Sequence, residues 1–188
     1  MALYNVKKEF QELSADELKI EYDKIASPVA VGCLNLSGDI NIGMMLRTSS
    51  LFGVGKFYIL GRKRYDRRSS VGTQHHIPVE LIRAVKGRDN ELLDEEAIFQ
   101  ILLELQESYT IVLVEQTPQS IRPSQLKRIE MSKPPLFLFG NEAEGIPKRV
   151  LEMANIICVE IPQRGIGRSL NVSTACGIIL YEWFRDPV

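Results

Sequence analysis

Three stretches of this chain carry polar side chains where a core element needs none. They are "NLSGDINIGMMLR" from Asn35, "GNEAEGIP" from Gly140 and "IPQRGIGRSLNVSTACGIILYEW" from Ile161. In the last, Arg168, Ser169, Asn171 and Ser173 open an apolar run that ends at Trp183. A buried helix requires no such polarity, whereas a helix whose first turn faces a ligand does. That turn presents unpaired N–H groups, and Gly165 and Gly167 would let the backbone turn sharply before it. In the first stretch, Arg47 follows Gly43 by four residues, which stacks them on one helix face. The missing side chain of Gly43 reads as room beside the guanidinium. Each residue also has an ordinary reading: Asn41 and Ser169 as helix caps, Glu142 as a surface carboxylate, Gly165 and Gly167 as turn residues.

These stretches need a frame to hold them. Residues 1–26 read as a short leader of two helices, with Ser14 and Glu17 forming a capping box. Residues 27–188 read as an α/β domain. "VAVGCL", "KFYILG", "TIVLVEQ", "PLFLFG" and "IICVEIP" are near-continuous apolar strands. "DINIGMMLRTSSLFG" is a helix with Asp39 as N-cap and Gly53 as C-cap. "PVELIRAV" suggests a short helix, "EEAIFQILLELQES" is amphipathic, and "PKRVLEMA" makes a helix with Pro147 at its first turn. Such alternation argues for a parallel sheet covered on both faces. Ligands then bind beyond the carboxyl ends of the strands, which is where the three polar stretches fall.

Composition narrows the chemistry. The 188 residues are 45% hydrophobic and 25% charged, ordinary for one soluble domain. No apolar stretch reaches membrane-spanning length, and the N-terminus lacks the apolar core of a signal peptide, so a cytoplasmic location is expected. Cys33, Cys158 and Cys176 are isolated, which fits a reduced compartment. His75 and His76 are adjacent, a spacing unsuited to a zinc pair, and no metal is expected. A P-loop and a G-x-S-x-G elbow are both lacking, and "GIGRSL" is an incomplete dinucleotide fingerprint. The net charge of −1 conceals a local cluster: "GRKRYDRR" holds five basic residues and Tyr65. It is either a solvated loop or a phosphate-contacting patch with one aromatic for stacking.

"NIGMMLRTSSLFG", "LFLFGNEAEGIP" and "IPQRGIGRSLNVSTACGIILYE" together resemble the three ordered motifs of the SpoU (TrmH) family of RNA ribose methyltransferases. The similarity runs from Pro28 to Arg185. "VEQT", with the second and third motifs, is most similar to catalytic domains of tRNA guanosine 2′-O-methyltransferases. The resemblance implies a parallel-sheet SPOUT methyltransferase fold with a C-terminal deep trefoil knot, which general topology rules disfavour. It implies S-adenosylmethionine as cofactor, RNA as substrate (tRNA favoured, rRNA the alternative) and a homodimer with the active site at the subunit interface. A non-catalytic RNA-binding module is a further alternative, opposed by the complete motif set. By motif match, Asn41, Arg47, Glu142, Ser169 and Asn171 form the catalytic set. Thr117, Gly140, Ile161, Ser169 and Leu170 form the cofactor site. In the family, the first-motif arginine handles the proton of the ribose 2′-OH. Guanidinium holds its own proton up to a pKa above about 12. Arg47 would therefore be transiently neutral, or would grip a phosphate that takes the proton; the second route is preferred. In the last helix, Ala175, Cys176 and Gly177 beside Tyr181 and Trp183 suit the dimer interface.

Overall fold

The computed structural model describes residues 6–61, 65–87 and 92–185. Its centre is a six-stranded sheet built from β1 (Ser27–Leu34), β2 (Val54–Gly61), β3 (Val79–Arg83), β6 (Thr110–Val114), β7 (Pro135–Phe139) and β8 (Ile156–Val159). The strand order is β3-β2-β1-β7-β6-β8, and every described pairing is parallel. The apolar runs are continuous because both faces are covered. Along β7, Leu136 and Leu138 enter one core cluster while Phe137 and Phe139 enter the other. Along β1, Ala30 and Leu34 face one way and Val31 and Cys33 the opposite way. This period of two is the pleat itself. A small antiparallel ladder joins β4 (Val85–Lys86) to β5 (Leu92–Leu93).

Among the described residues, six helices flank the sheet: α1 (Ala15–Ile25), α2 (Asp39–Leu51), α3 (Arg67–Ser70), α4 (Glu95–Leu105), α5 (Lys148–Leu151) and α6 (Val172–Phe184). The Ser14–Glu17 capping box forms as expected, with Ser14 N donating to Glu17 at 2.8 Å. Among the described residues before α1 lies one 3-10 turn, Lys8–Phe10, where a first helix of the leader is expected. Helix α1 is packed onto the sheet through Leu18 and Tyr22, and the Tyr22 hydroxyl donates to Val54 O at 2.6 Å.

"PVELIRAV" is strand β3, not a helix, because Val79 to Arg83 pair in parallel register with Phe57 to Gly61 at the sheet edge. Pairing here overrides helix spacing. The N-cap of α2 is Gly38 rather than Asp39, and the C-cap is Phe52 with Gly53 one residue beyond at φ 69°. Pro147 is the N-cap of α5, one position before its first turn. Gly43 makes no room for Arg47: a Cβ there would lie 1.8 Å from Ser69 Oγ and 2.7 Å from Asp66 O. Its function is to let α3 press against α2. Gly165 and Gly167 are not in the left-handed region, and a side chain at either would meet open space.

Helix α6 packs on α2 of its own chain. A Cβ at Gly177 would touch Thr48 Cγ2 at 3.8 Å, Cys176 is buried, and Trp183 stands edge-on to Phe137 with centroids 5.6 Å apart. The small residues and Trp183 thus serve the fold. Tyr181 is exposed.

His76 is a buried acid-sensitive point. Its Nε2 lies 2.8 Å from Ser50 Oγ, its ring is 5.4 Å from that of Tyr22, and its Nδ1 finds no partner among the described residues. Burial, then the neighbouring His75, holds its pKa below the ordinary value. Protonation therefore favours the unfolded chain. Stability from this source is full above the unfolded pKa of about 6.5 and is lost as pH falls from there toward the depressed folded value. In chemical denaturation at a series of pH values, wild type should weaken below about pH 6.5, and His76→Gln should not show this step. An identical step in the variant would assign the loss to other groups.

Candidate functional site

The three polar stretches meet beyond the carboxyl ends of the strands. The loop after β7 is the hinge of the arrangement. Asn141 exchanges backbone hydrogen bonds with Gly145 at 2.9 and 3.0 Å, and its side-chain oxygen accepts from Ala143 N and Glu144 N. Its Nδ2 donates to Asn35 O at 2.7 Å, which ties the loop to the end of β1. Gly145 at φ 68° makes the return possible.

From this loop Glu142 reaches the start of α2. One carboxylate oxygen accepts from Ser37 N at 3.0 Å and Ser37 Oγ at 3.1 Å; the other accepts from Gly38 N at 3.2 Å and Asn41 Nδ2 at 2.9 Å. Gly38, the N-cap, has no side chain to accept from the first turn; the Glu142 carboxylate, 104 residues away, accepts instead from the N–H groups of Ser37 and Gly38 just ahead of the helix, where a negative charge is favoured. Partial burial pulls the Glu142 pKa up, but the Asn41 amide and the Ser37 and Gly38 N–H groups outweigh it and hold it below the ordinary carboxylate value. Asn41 then accepts from Asn171 Nδ2 at 3.0 Å. Asn171 is the N-cap of α6, its Oδ1 accepting from Ser173 N at 2.9 Å and Ser173 Oγ at 2.6 Å. A continuous chain, Glu142–Asn41–Asn171–Ser173, thus links all three stretches.

Beside this chain opens a cavity of about 670 Å³. Gly140, Glu142, Ile161, Ser169, Leu170 and Asn171 are on its wall. Ser169 makes no hydrogen bond to a described residue, and Leu170 is 39% exposed at the mouth. The helix begins only at Val172, so Arg168 to Leu170 form an exposed approach to it and not its first turn. Asn41 sits behind the wall, in contact through Glu142 and Asn171. Thr117 is not on the wall: it closes a tight turn, its hydroxyl 2.9 Å from Ser120 Oγ, and so positions the cavity residue Gln116. Arg47 is exposed on α2, away from the cavity wall, with no hydrogen bond or ion pair to a described residue. Sequence reasoning did not single out Glu115 and Gln163, which also line the cavity. "VEQT" at the end of a strand was the available signal for Glu115.

The SpoU rRNA methylase family model matches residues 28–181. The chain belongs to this family. A mouse relative, tRNA (guanosine(18)-2'-O)-methyltransferase TARBP1, is 30% identical over 182 residues, covering 94% of this chain but 11% of the relative. The Aquifex aeolicus tRNA (guanosine(18)-2'-O)-methyltransferase is 29% identical over 157 residues, covering 81% of this chain and 66% of the relative. A yeast protein of the same name is matched over only 9% of its length, so the chain spans a small part of the two eukaryotic relatives. Among solved structures, the A. aeolicus TrmH/SpoU tRNA modifying enzyme aligns with TM-score 0.70 at 25% identity, covering 89% of this chain and 79% of that one. An AdoMet-bound rRNA methyltransferase from Sinorhizobium meliloti shares the fold, with TM-score 0.64 at 24% identity over 82% and 54% of the two chains. Among the described residues of this SpoU-family chain, no helix is long and apolar enough to cross a membrane, and no cluster of potential metal ligands occurs.

Proposed function

We propose that this chain transfers a methyl group from S-adenosylmethionine to a ribose 2′-OH in RNA, with a tRNA guanosine as the favoured target. The observation that carries the reading is the Glu142–Asn41–Asn171 chain, which joins the three family stretches beside the cavity. The names of the mouse, yeast and A. aeolicus relatives favour tRNA. The family description and the S. meliloti neighbour keep rRNA as the second reading.

The cavity suits the cofactor. It has the volume for a nucleoside with an amino-acid arm, and its wall combines carboxylates with Ile161 and Leu170. Gly140, Ile161, Ser169 and Leu170 would hold the cofactor, with Thr117 shaping the turn beside it. Bound there, S-adenosylmethionine supplies an electrophilic methyl group on a sulfonium. Asn41, Asn171 and Glu142 act by position, since their polar atoms are committed to one another and to the ends of α2 and α6. Ser169, whose hydroxyl is uncommitted among described residues, orients the ribose. Arg47 grips the phosphate next to that ribose, and the phosphate takes the 2′-OH proton. Holding the reacting groups in line supplies much of the rate.

A homodimer belongs to the same proposal. Ile40, Met44 and Leu51 are 58%, 46% and 67% exposed on one stripe of α2, and Tyr181 is 62% exposed on the adjoining α6. A second copy would cover these apolar groups, and Arg47 lies within the stripe, so its target site would be completed by the partner. A deep trefoil knot is proposed for the segment leading through β8 into α6, supported by the family membership and by β7 lying between β1 and β6. The protein is proposed to work in the cytoplasm.

In the basic segment, Arg62, Lys63 and Arg64 lie outside the described residues. Asp66 caps α3 and pairs with Arg68 at 2.8 Å, while Arg67 is exposed. Neutralising Arg67 and Arg68 together should weaken RNA binding and flatten its logarithmic salt dependence by about one unit, not two, because Arg68 already has a carboxylate partner. Unchanged RNA affinity at low and high salt would make the segment a solvated surface. The substrate assignment is tested with labelled S-adenosylmethionine and purified tRNA or rRNA. Label should enter tRNA; label confined to rRNA would establish the second reading.

A further inference from the structure

The cavity wall carries four carboxylates, from Glu115, Glu142, Glu144 and Glu160, against one cation, Arg168. Two of the four have partners and a third faces solvent. Glu142 is spent on the start of α2. Glu160 pairs with Arg122 at 3.2 Å. Glu144 sits on the exposed tip of the loop after β7. Glu115 remains, and no described cation pairs with it.

Its carboxylate is nevertheless held in place. Oε1 accepts from Gln116 N at 3.0 Å and Oε2 from Ile146 N at 3.2 Å. Gly145 closes directly over it, since a Cβ at that position would lie 2.7 Å from Oε2. Each oxygen keeps a free lone pair, because a carboxylate oxygen accepts about two hydrogen bonds. A fixed anion without a counter-charge on a concave wall favours a cationic ligand.

We infer that Glu115 is the counter-charge for the sulfonium of the methyl donor, so that the cavity distinguishes the charged donor from the neutral thioether left after transfer. This rests on the function proposed above. Donor and spent product share the adenosine, the amino group and the carboxylate; they differ by one methyl and one positive charge. A carboxylate near that charge raises donor affinity with little effect on the product, which eases product release. It also stabilises a charge that fades in the transition state, so its contribution lies in binding and not in the chemical step.

The test is calorimetry on full-length protein with S-adenosylmethionine, S-adenosylhomocysteine and the analogue that bears an amine in place of the sulfonium methyl. Glu115→Gln should weaken the donor and the amine analogue by about tenfold while S-adenosylhomocysteine changes by less than about twofold. In single turnover at saturating donor, the variant should not slow. Equal losses for donor and product would overturn the inference and make Glu115 a loop anchor. Should the variant fold poorly, wild type serves: added salt should weaken the donor more than the product, and identical salt dependence would overturn the inference. If wild type binds none of the three ligands, the proposed function itself fails, a result distinct from either.

Discussion

Arg47→Lys lowers methyl transfer by at least about tenfold, equivalent to about 1.4 kcal/mol of transition-state stabilisation, and leaves the cofactor site intact. Lysine preserves the charge but not the planar fork that can grip a phosphate and a ribose together. The position makes the outcome readable. Arg47 is exposed on α2, contacts no partner through a hydrogen bond or ion pair among the described residues, and is absent from the cavity wall. Fold stability should therefore stay within about 0.5 kcal/mol, and calorimetry should return an unaltered S-adenosylmethionine affinity. RNA affinity should fall only modestly, since many contacts share that work. Single-turnover kinetics isolate the chemical step. Full activity would refute the fork; lost cofactor binding would place Arg47 in the cavity's support.

Asn171→Ala has the larger structural consequence. Asn171 caps α6 and also donates to Asn41, whose own amide is held by Glu142. Loss of the cap costs about 1 kcal/mol and loss of the second hydrogen bond about 1 kcal/mol more. For a chain of this size the melting temperature should drop by about 4–8 °C. Methyl transfer should fall by at least about tenfold at temperatures where the variant is folded, because the third stretch is no longer registered against the first. Asn171→Asp separates the two roles. It keeps an acceptor for Ser173 N at a helix start, where a negative charge is favoured, so most stability returns. It cannot donate to Asn41 Oδ1, and Asn41 cannot reverse its amide without abandoning Glu142, so activity stays low. Melting and activity that recover together in the aspartate variant would show the cap alone to matter.

The parallel sheet was legible because double burial leaves a plain mark: runs such as "VAVGCL" and "PLFLFG" have no polar alternation, and their odd and even residues supply the two cores. β3 was not legible. Its helix-like spacing is overridden by pairing with β2, and edge position leaves Leu81 and Arg83 exposed. In the site, the residue types of the three stretches were legible but their partners were not. Glu142 reads as a surface carboxylate until Gly38, 104 residues earlier in the chain, is seen to donate its N–H to it. Gly43 shows the limit of face arguments: the helix periodicity is right, yet α3 occupies the space that the sequence offers to Arg47. Thr117 and Glu115 are two residues apart on one turn. Only the direction of the chain past Val114 decides that the glutamate lines the cavity and the threonine closes the turn.

The central claim is the acceptor atom, the ribose 2′ oxygen, and alkaline hydrolysis reads it directly. A methylated 2′ oxygen cannot attack the adjacent phosphodiester, so that single linkage survives alkali. After incubation of the protein with S-adenosylmethionine and tRNA, one alkali-resistant linkage should appear, 3′ to a guanosine, carrying the transferred label. Label on a base, with every linkage still cleaved, would contradict ribose methylation and the roles assigned to Arg47 and Ser169.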